Sequence, residues 1–278
     1  MISCVINYYN PKAISRIDAT TLLCLEALRA YSRSSLEIIL SDGSGVESPL
    51  MKAHCERLGA VYSLSPTPQN FAAIYNHGSS LAKGDHIAIL ENDIFVTEAW
   101  DERMLAEMTR TGADVAVPFL TSCDNHIQQL GFLVQNMTFE PSMISHNFIL
   151  FTRKAAKLAF PFDMRFNATH NDNDVYIRLK RAGMKFIVTK GVEIVHYRRG
   201  TAAYNPWTFD EDLQKFKALY PDLRYTSPIY AFSACDPFFC RSRSFRTLLW
   251  VCERLPVRKL RNYCTKHIFR LESIFHRI

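Results

Sequence analysis

No stretch of this chain approaches the roughly 18 consecutive apolar residues of a membrane-spanning helix, so none is predicted. The N-terminus, ISCVINYYN, lacks the basic lead and small-residue cleavage site of a secretion signal, and the protein is expected to stay in the cytosol. Also missing is any C-x-x-C pair or Cys/His spacing suited to zinc. The eight cysteines (Cys4, Cys24, Cys55, Cys123, Cys235, Cys240, Cys252, Cys264) are scattered, which predicts reduced, mostly buried thiols. There is no internal repeat and no low-complexity segment. Acidic residues are scarce at one end only. From Arg241 to Ile278 ten Lys/Arg face Glu253 and Glu272, a net +8, whereas residues 1–240 carry 23 basic and 25 acidic side chains, a net −2. Basicity confined to a tail, with no aromatic-basic binding motif beside it, argues against nucleic-acid binding.

What is present is an alternation. At 278 residues and 48% hydrophobic, the chain suffices for one large domain or for a domain plus an appendage. Ile2 to Asn7 is an apolar run that ends at a Tyr8-Tyr9-Asn10-Pro11 turn, with Asn10 expected to cap a helix that has Pro11 at its first position and runs to about Ser32. A strand at Leu36 to Leu40 runs into Ser41-Asp42-Gly43-Ser44-Gly45. Helices at Pro49 to Leu58 and Phe71 to Leu81, with a strand near Ala60 to Leu64 between them, complete a βαβαβα run. Such alternation predicts an α/β fold, a mostly parallel sheet with right-handed crossovers and helices on both faces. After Val96 the pattern loosens. A helix near Glu98 to Thr109 and strands at Asp114 to Phe119 and Ser145 to Thr152 are expected, with a less regular stretch from Thr121 to Pro141 between the two strands. A short helix at Lys154 to Phe160, a polar loop at Asn167 to Asp174 and a helix at Val175 to Ala182 follow. Strands at Lys185 to Thr189 and Val192 to His196 close this half.

The stretch His86 to Val96, HIAILENDIFV, organises the rest. A buried strand that runs straight into Glu91-Asn92-Asp93 places two carboxylates where burial is expensive without a partner. A divalent cation carrying a phosphate is such a partner, because ligands of open α/β sheets collect outside the carboxyl ends of strands. A solvated acidic turn is the alternative. Asp42, ahead of Gly-Ser-Gly, could hold a nucleobase edge or ribose, or simply form an Asp-Gly turn. Asp172 and Asp174 in NDND lie just before a helix, where either could serve as a cap. His196 ends the strand EIVHY and, if another ligand lies near, suits a divalent ion. These groups fall at predicted strand ends and helix starts, where one cleft would be lined.

On these residues the chain resembles the family 2 glycosyltransferases with the GT-A fold, over about residues 2 to 201. The carrying pieces appear in the family's order: VINYYN, EIILSDGSG, NFAAIYNHGSSLAKGDHIAILENDI, FPFDMRFNATHNDNDVYIRLKRAGMKF and VHYRRGT. The resemblance implies a GT-A type Rossmann-like sheet flanked by helices, with a catalytic domain at 1–204. Its nucleotide-binding half covers about 1–97 and its acceptor half about 98–204. It implies that Glu91-Asn92-Asp93 is the family's Asp-x-Asp element, with Asp93 on a Mn²⁺ or Mg²⁺ ion that His196 helps to hold and Glu91 nearer the ribose. Asp42 and Tyr9 would flank the base, with Asn76 and Asn92 also among the cofactor-binding residues, and Asp172 would be the catalytic base. Three departures stand out: Glu91 at the first Asp-x-Asp position, Asn171 where Glu is usual, and Tyr75 where many relatives carry Arg. They put the donor's identity in doubt, and Asp174 remains a competitor for the base.

The implied activity is inverting transfer of a sugar from a nucleotide donor, most simply a UDP-sugar, to a glycan or lipid-linked glycan in polysaccharide synthesis. A nucleotidyltransferase is the runner-up, but VINYYNPK lacks its Gly-rich, Arg/Lys-containing loop. A non-catalytic glycan-binding relative is the third reading. Residues 205–278 are expected to form a helical appendage. There Phe245, Leu248, Leu249, Val251, Cys252 and Leu255, and then Leu260, Tyr263, Ile268, Leu271 and Phe275, alternate with basic residues. Such helices can lie peripherally on an anionic membrane face, or pack on the catalytic domain or on a second subunit of a homo-oligomer.

Overall fold

Four apolar runs within the first ninety residues form the parallel half of one sheet. In the computed structural model, β1 (Ile2–Tyr8), β2 (Leu36–Asp42), β3 (Val61–Leu64) and β4 (His86–Leu90) pair in parallel, with β1 between β2 and β4 and β3 at the edge. The structure describes residues 1–120, 138, 141, 144–167, 169–197 and 209–223, with isolated positions between 244 and 267. Most of the stretch Thr121 to Pro141 and most of the tail beyond 223 lie outside the described residues. Crossovers are made by α1 (Ser15–Tyr31), α2 (Pro49–Leu58) and α3 (Phe71–Leu81). Local signals fix their ends. Ser48 accepts from Met51 N with Pro49 next to it, Gly59 closes α2 at φ 63°, and Asn70 caps α3 by accepting from Ala73 N at 2.9 Å.

The second half adds β5 (Ile94–Val96), α4 (Trp100–Thr111), β6 (Val115–Leu120), β7 (Phe148–Thr152), α5 (Arg153–Ala159), α6 (Asn171–Arg181), β8 (Phe186–His196) and α7 (Phe209–Leu219). The eight strands lie in the order β3-β2-β1-β4-β7-β6-β8-β5. β7 runs antiparallel to both β4 and β6, β8 runs parallel to β6, and β5 returns antiparallel to β8. The sheet is therefore mixed, with its longest parallel run in the first half. Alternate strand residues feed two cores. Val5, Ile39, Ile87, Ile89 and Ile149 face α3, α5, α6 and α7, while Cys4, Ile38, Leu40, Ala88 and Leu150 face α1, α2 and α4.

Four details differ from the sequence reading. Asn10 does not open α1. Its Oδ1 accepts from Ile14 N at 2.8 Å and its Nδ2 donates to Asp18 Oδ1 at 2.8 Å, so it ties down a turn containing Ala13 at φ 49°, and the helix begins only at Ser15. The two closing strands are one, because Gly191 at φ 66° absorbs an irregularity in the pairing with β6 and lets β8 continue to His196. Helix α6 starts at Asn171, four residues early, so Asp172 and Asp174 sit in its first turn and not ahead of it. Helix α7, read from sequence as the start of the appendage, buries Leu213 and Phe216, and Tyr220 just after it, in the same core as Val175, Ile177 and Leu179 of α6. Cys252 is buried against that core too. No helix among the described residues is long and apolar enough to cross a membrane.

Candidate functional site

The strand ends deliver the acids as the pattern requires. β4 finishes at Leu90, and Glu91 N is then taken by Asn147 O at 3.1 Å, just before β7. The antiparallel register pairs Leu90 with Phe148, so the residues preceding β7 lie beside Glu91-Asn92-Asp93. On the other side Ile94 pairs with His196, and Tyr197 N donates to Asp93 O at 2.9 Å, which brings the end of β8 to the same place.

The result is a row of alternating acids and imidazoles. His196 Nε2 lies 3.3 Å from Asp93 Oδ1 and 3.1 Å from Glu91 Oε2. His146 Nε2 lies 2.8 Å from Glu91 Oε1, and its Nδ1 lies 3.2 Å from Asp172 Oδ2. Asn147 Nδ2 donates to Glu91 Oε2 at 2.9 Å, and the His146 ring rests on Phe71 with centroids 4.4 Å apart. Burial alone would push the His146 imidazole down, but the Asp172 and Glu91 carboxylates outweigh it and push it up to about 10. In return, burial raises Glu91 but His146 and His196 hold it well below the usual carboxylate range, and His146 likewise holds Asp172 below its ordinary value. Asp172 also accepts from Asn173 N at 2.8 Å. The sequence reading missed His146. The only signal was a polar Ser-His-Asn ahead of an apolar strand, and its meaning depends on that strand pairing with β4.

Glu91, Asp93 and His196 each offer one ligand atom, all within 4.8 Å of one another. Two carboxylates and an imidazole form an oxygen–nitrogen set that suits Mn²⁺ or Mg²⁺ and offers nothing to a thiophilic metal, so these residues fit the expected ion.

The other expected residues divide. Asp42 ends β2 fully buried, with Oδ1 accepting from Ser44 N at 2.8 Å and Oδ2 from Tyr62 OH at 2.5 Å. Burial raises its carboxyl, and the bonds from Ser44 and Tyr62 offset this only in part. Tyr9 lies half-buried one residue past β1, whose Tyr8 pairs with Asp42. The buried side-chain amide of Asn92 donates to Thr21 Oγ1 of α1 at 2.8 Å. Asn76 is not brought into the row. Its Nδ2 donates to Phe162 O at 2.9 Å and its Oδ1 accepts from Phe162 N at 2.6 Å, so it anchors the chain beyond α5. Tyr75, standing where relatives carry Arg, is fully buried and donates to Leu90 O at 2.8 Å, which steadies the end of β4. Asp174 is buried and engaged elsewhere, accepting from Tyr220 OH at 2.5 Å and Arg178 Nε at 2.9 Å. Of the two acids of NDND, only Asp172 joins the row.

No curated protein sequence matches this chain. Among solved structures, GalNAc-T7 with UDP, GalNAc and Mn²⁺ superposes with a TM-score of 0.62 at 11% identity, covering 99% of this chain and 56% of that one. This chain thus spans little more than half of that structure. S. aureus TarS 1-349 in complex with UDP-GlcNAc superposes with a TM-score of 0.60 at 12% identity, covering 98% of this chain and 90% of that one. Both likenesses show a shared fold, the GT-A arrangement expected from the sequence. The family model for glycosyl transferase family 2 matches residues 3–166, more than half of the chain, and the protein belongs to that family.

Proposed function

We propose that the protein is a metal-dependent, inverting glycosyltransferase that moves a sugar from a UDP-sugar to a hydroxyl of a glycan or lipid-linked glycan, in cell-surface polysaccharide synthesis on the cytoplasmic side of a membrane. The observation that carries this reading is the placement of Asp172 at the far end of the Glu91–His146 pair from Asp93 and His196. Leaving-group chemistry and base chemistry each find their own end of one row. A divalent cation held by Asp93, His196 and Glu91 supplies the positive charge that neutralises a departing nucleoside diphosphate.

The chain's own side chains do the rest. Asp172, kept ionised by His146, accepts the proton of the acceptor hydroxyl as that oxygen attacks the anomeric carbon from the face opposite the diphosphate. A single carboxylate and a single displacement invert the anomeric configuration. Tyr9 and Asp42 bound the nucleobase end, with Asp42 oriented by Ser44 and Tyr62. Asn92 and Tyr75 fix the strand end that carries the acids. For the membrane, Leu248 and Val251, one helical turn apart, are 49% and 50% exposed in the segment that carries ten basic residues against two acids. Exposed apolar side chains in a segment rich in Lys and Arg suit an anionic lipid face.

Nucleotide release from a panel of nucleotide-sugars, with Mn²⁺ or with EDTA, tests the proposal. Release from at least one UDP-sugar is expected with Mn²⁺, is abolished by EDTA and by Asp93→Ala, and falls at least about 100-fold in Asp172→Asn. Pyrophosphate appearing from a nucleoside triphosphate and a sugar phosphate would identify a nucleotidyltransferase instead. Glycan binding without nucleotide turnover would identify a lectin-like relative.

A further inference from the structure

The N-terminus of α6 carries Asp172. Its cap residue, His170, is in the left-handed region at φ 67° and makes no side-chain capping bond. The anchoring comes from α7, some forty residues later. Asp212, 1% exposed, accepts from the backbone N of Asn167 at 3.1 Å to each oxygen and from the backbone N of Thr169 at 3.0 Å. Thr169 Oγ1 lies 3.3 Å from the same carboxylate, and Lys215 Nζ lies 3.3 Å from its other oxygen. Phe216 of α7 packs on His170, with ring centroids 5.3 Å apart, and on Phe166. Just past α7, the Tyr220 hydroxyl grips Asp174. Both sides of the base, in sequence, are therefore held by one helix.

We propose that α7 is a positioning element for the catalytic base, and that Asp212 is the residue through which it acts. The inference rests on the reading of Asp172 as the base. A buried carboxylate that accepts backbone N–H groups makes strong, charge-assisted bonds, and those bonds define where the loop 167–170 stops and α6 begins. Asp172 follows Thr169 by three residues. A loop freed by loss of Asp212 carries the carboxylate away from the line of the attacking hydroxyl, where a misplacement of about 1 Å costs up to about 100-fold in rate. Glu91, Asp93, His196 and Asp42 are held by β4, β8 and β2 and their connections, so UDP affinity is expected to change far less than turnover.

The test is a double-mutant cycle on the full chain, read in two ways: UDP binding by calorimetry with Mn²⁺, and nucleotide release from a UDP-sugar to water. Asp212→Ala is expected to keep UDP affinity within about twofold while turnover falls about 10- to 100-fold. Asp172→Asn/Asp212→Ala is expected to be no slower than Asp172→Asn alone, since a positioning residue has nothing left to position. Losses that multiply in the double variant, or UDP affinity falling in step with turnover, would show a general structural role and overturn the inference. So would unchanged turnover in Asp212→Ala beside a slow Asp172→Asn. If Asp172→Asn itself turns over at the wild-type rate, the assignment of the base fails first. Asp212→Asn, which keeps the volume and one acceptor oxygen, takes the place of the alanine variant if that one does not fold, and an intermediate loss confined to turnover is expected of it.

Discussion

Replacing His146 by Ala in metal-free protein removes the positive partner shared by two part-buried carboxylates. Glu91 lies 2.8 Å from one ring nitrogen and Asp172 3.2 Å from the other, and the side chains are 17%, 18% and 14% exposed for His146, Glu91 and Asp172. Breaking a buried pair from one side costs about 3–5 kcal/mol, because the acid left behind is desolvated and uncompensated. Asn147 still donates to Glu91 Oε2, His196 still lies 3.1 Å from it, and the pair is part-exposed, which keeps the expected loss at or below the lower end, about 3 kcal/mol. Lost contact between the ring and Phe71 adds to it. For a chain of this size about 3 kcal/mol lowers the unfolding midpoint by roughly 6–10 °C. The assay is thermal unfolding after chelation and again in saturating Mn²⁺. A cation bound beside Glu91 supplies part of the missing positive charge, so the deficit is expected to shrink by at least half once Mn²⁺ is added. His146→Gln, able to donate to one of the two acids, should fall between. A midpoint within about 2 °C of wild type in the chelated Ala variant, or a deficit that Mn²⁺ leaves unchanged, would refute the view of His146 as the shared counter-charge.

Asp42→Asn tests a trade of stability for recognition. Folding raises the Asp42 carboxyl, so its contribution is fully present below about pH 4 and is lost as pH rises through the raised folded value. The Asn variant escapes that loss, and its unfolding midpoint relative to wild type should climb across this window while its affinity for UDP falls; a midpoint difference that is flat in pH would sink the idea. Gly84→Ala should cost about 1–3 kcal/mol in chemical denaturation, because the new Cβ would sit 2.7 Å from Ser3 N and 2.8 Å from Met1 O, backbone atoms that cannot swing aside. Leu248→Glu/Val251→Glu should reduce co-sedimentation with phosphatidylglycerol vesicles several-fold and leave nucleotide release unchanged; equal sedimentation would remove these side chains from any lipid contact.

The parts of the fold and site that were legible share a cause. Buried parallel strands are apolar through their buried length, so an acid close behind EIIL or HIAIL stands out, and the strand-end positions of Asp42, Glu91 and Asp93 were readable from their neighbours alone. His196 was readable for the same reason. His146 was not, because nothing within a few residues of it says that β7 lies antiparallel between β4 and β6. The contest between Asp172 and Asp174 was equally closed to local reading. Two acids in one helical turn have equal propensities, and only Tyr220 and Arg178, from elsewhere in space and sequence, draw Asp174 away. The engagement of Asn76 was equally hidden from its neighbours in sequence. An amide in a matching motif looks like a ligand until the backbone of Phe162 is found taking both its ends. The role of α7 was hidden because amphipathic periodicity reports that a helix has a buried face, not which helix it is buried against.

The place of β7 in the sheet bears on when this protein becomes competent during its synthesis. The first ninety residues can complete β1 to β4 by short-range crossovers as soon as they emerge, but β4 then presents an open edge until a strand from nearly sixty residues later arrives to cover it. Both His146 and Asn147 travel with that strand, and β8 and α7 arrive later still. A ribosome-bound or refolding chain therefore has its first four strands well before β8 brings His196 to Glu91 and Asp93. High-affinity Mn²⁺ uptake should consequently trail the gain of secondary structure in a stopped-flow refolding trace, and it can serve as a clock for the docking of the second half onto the first.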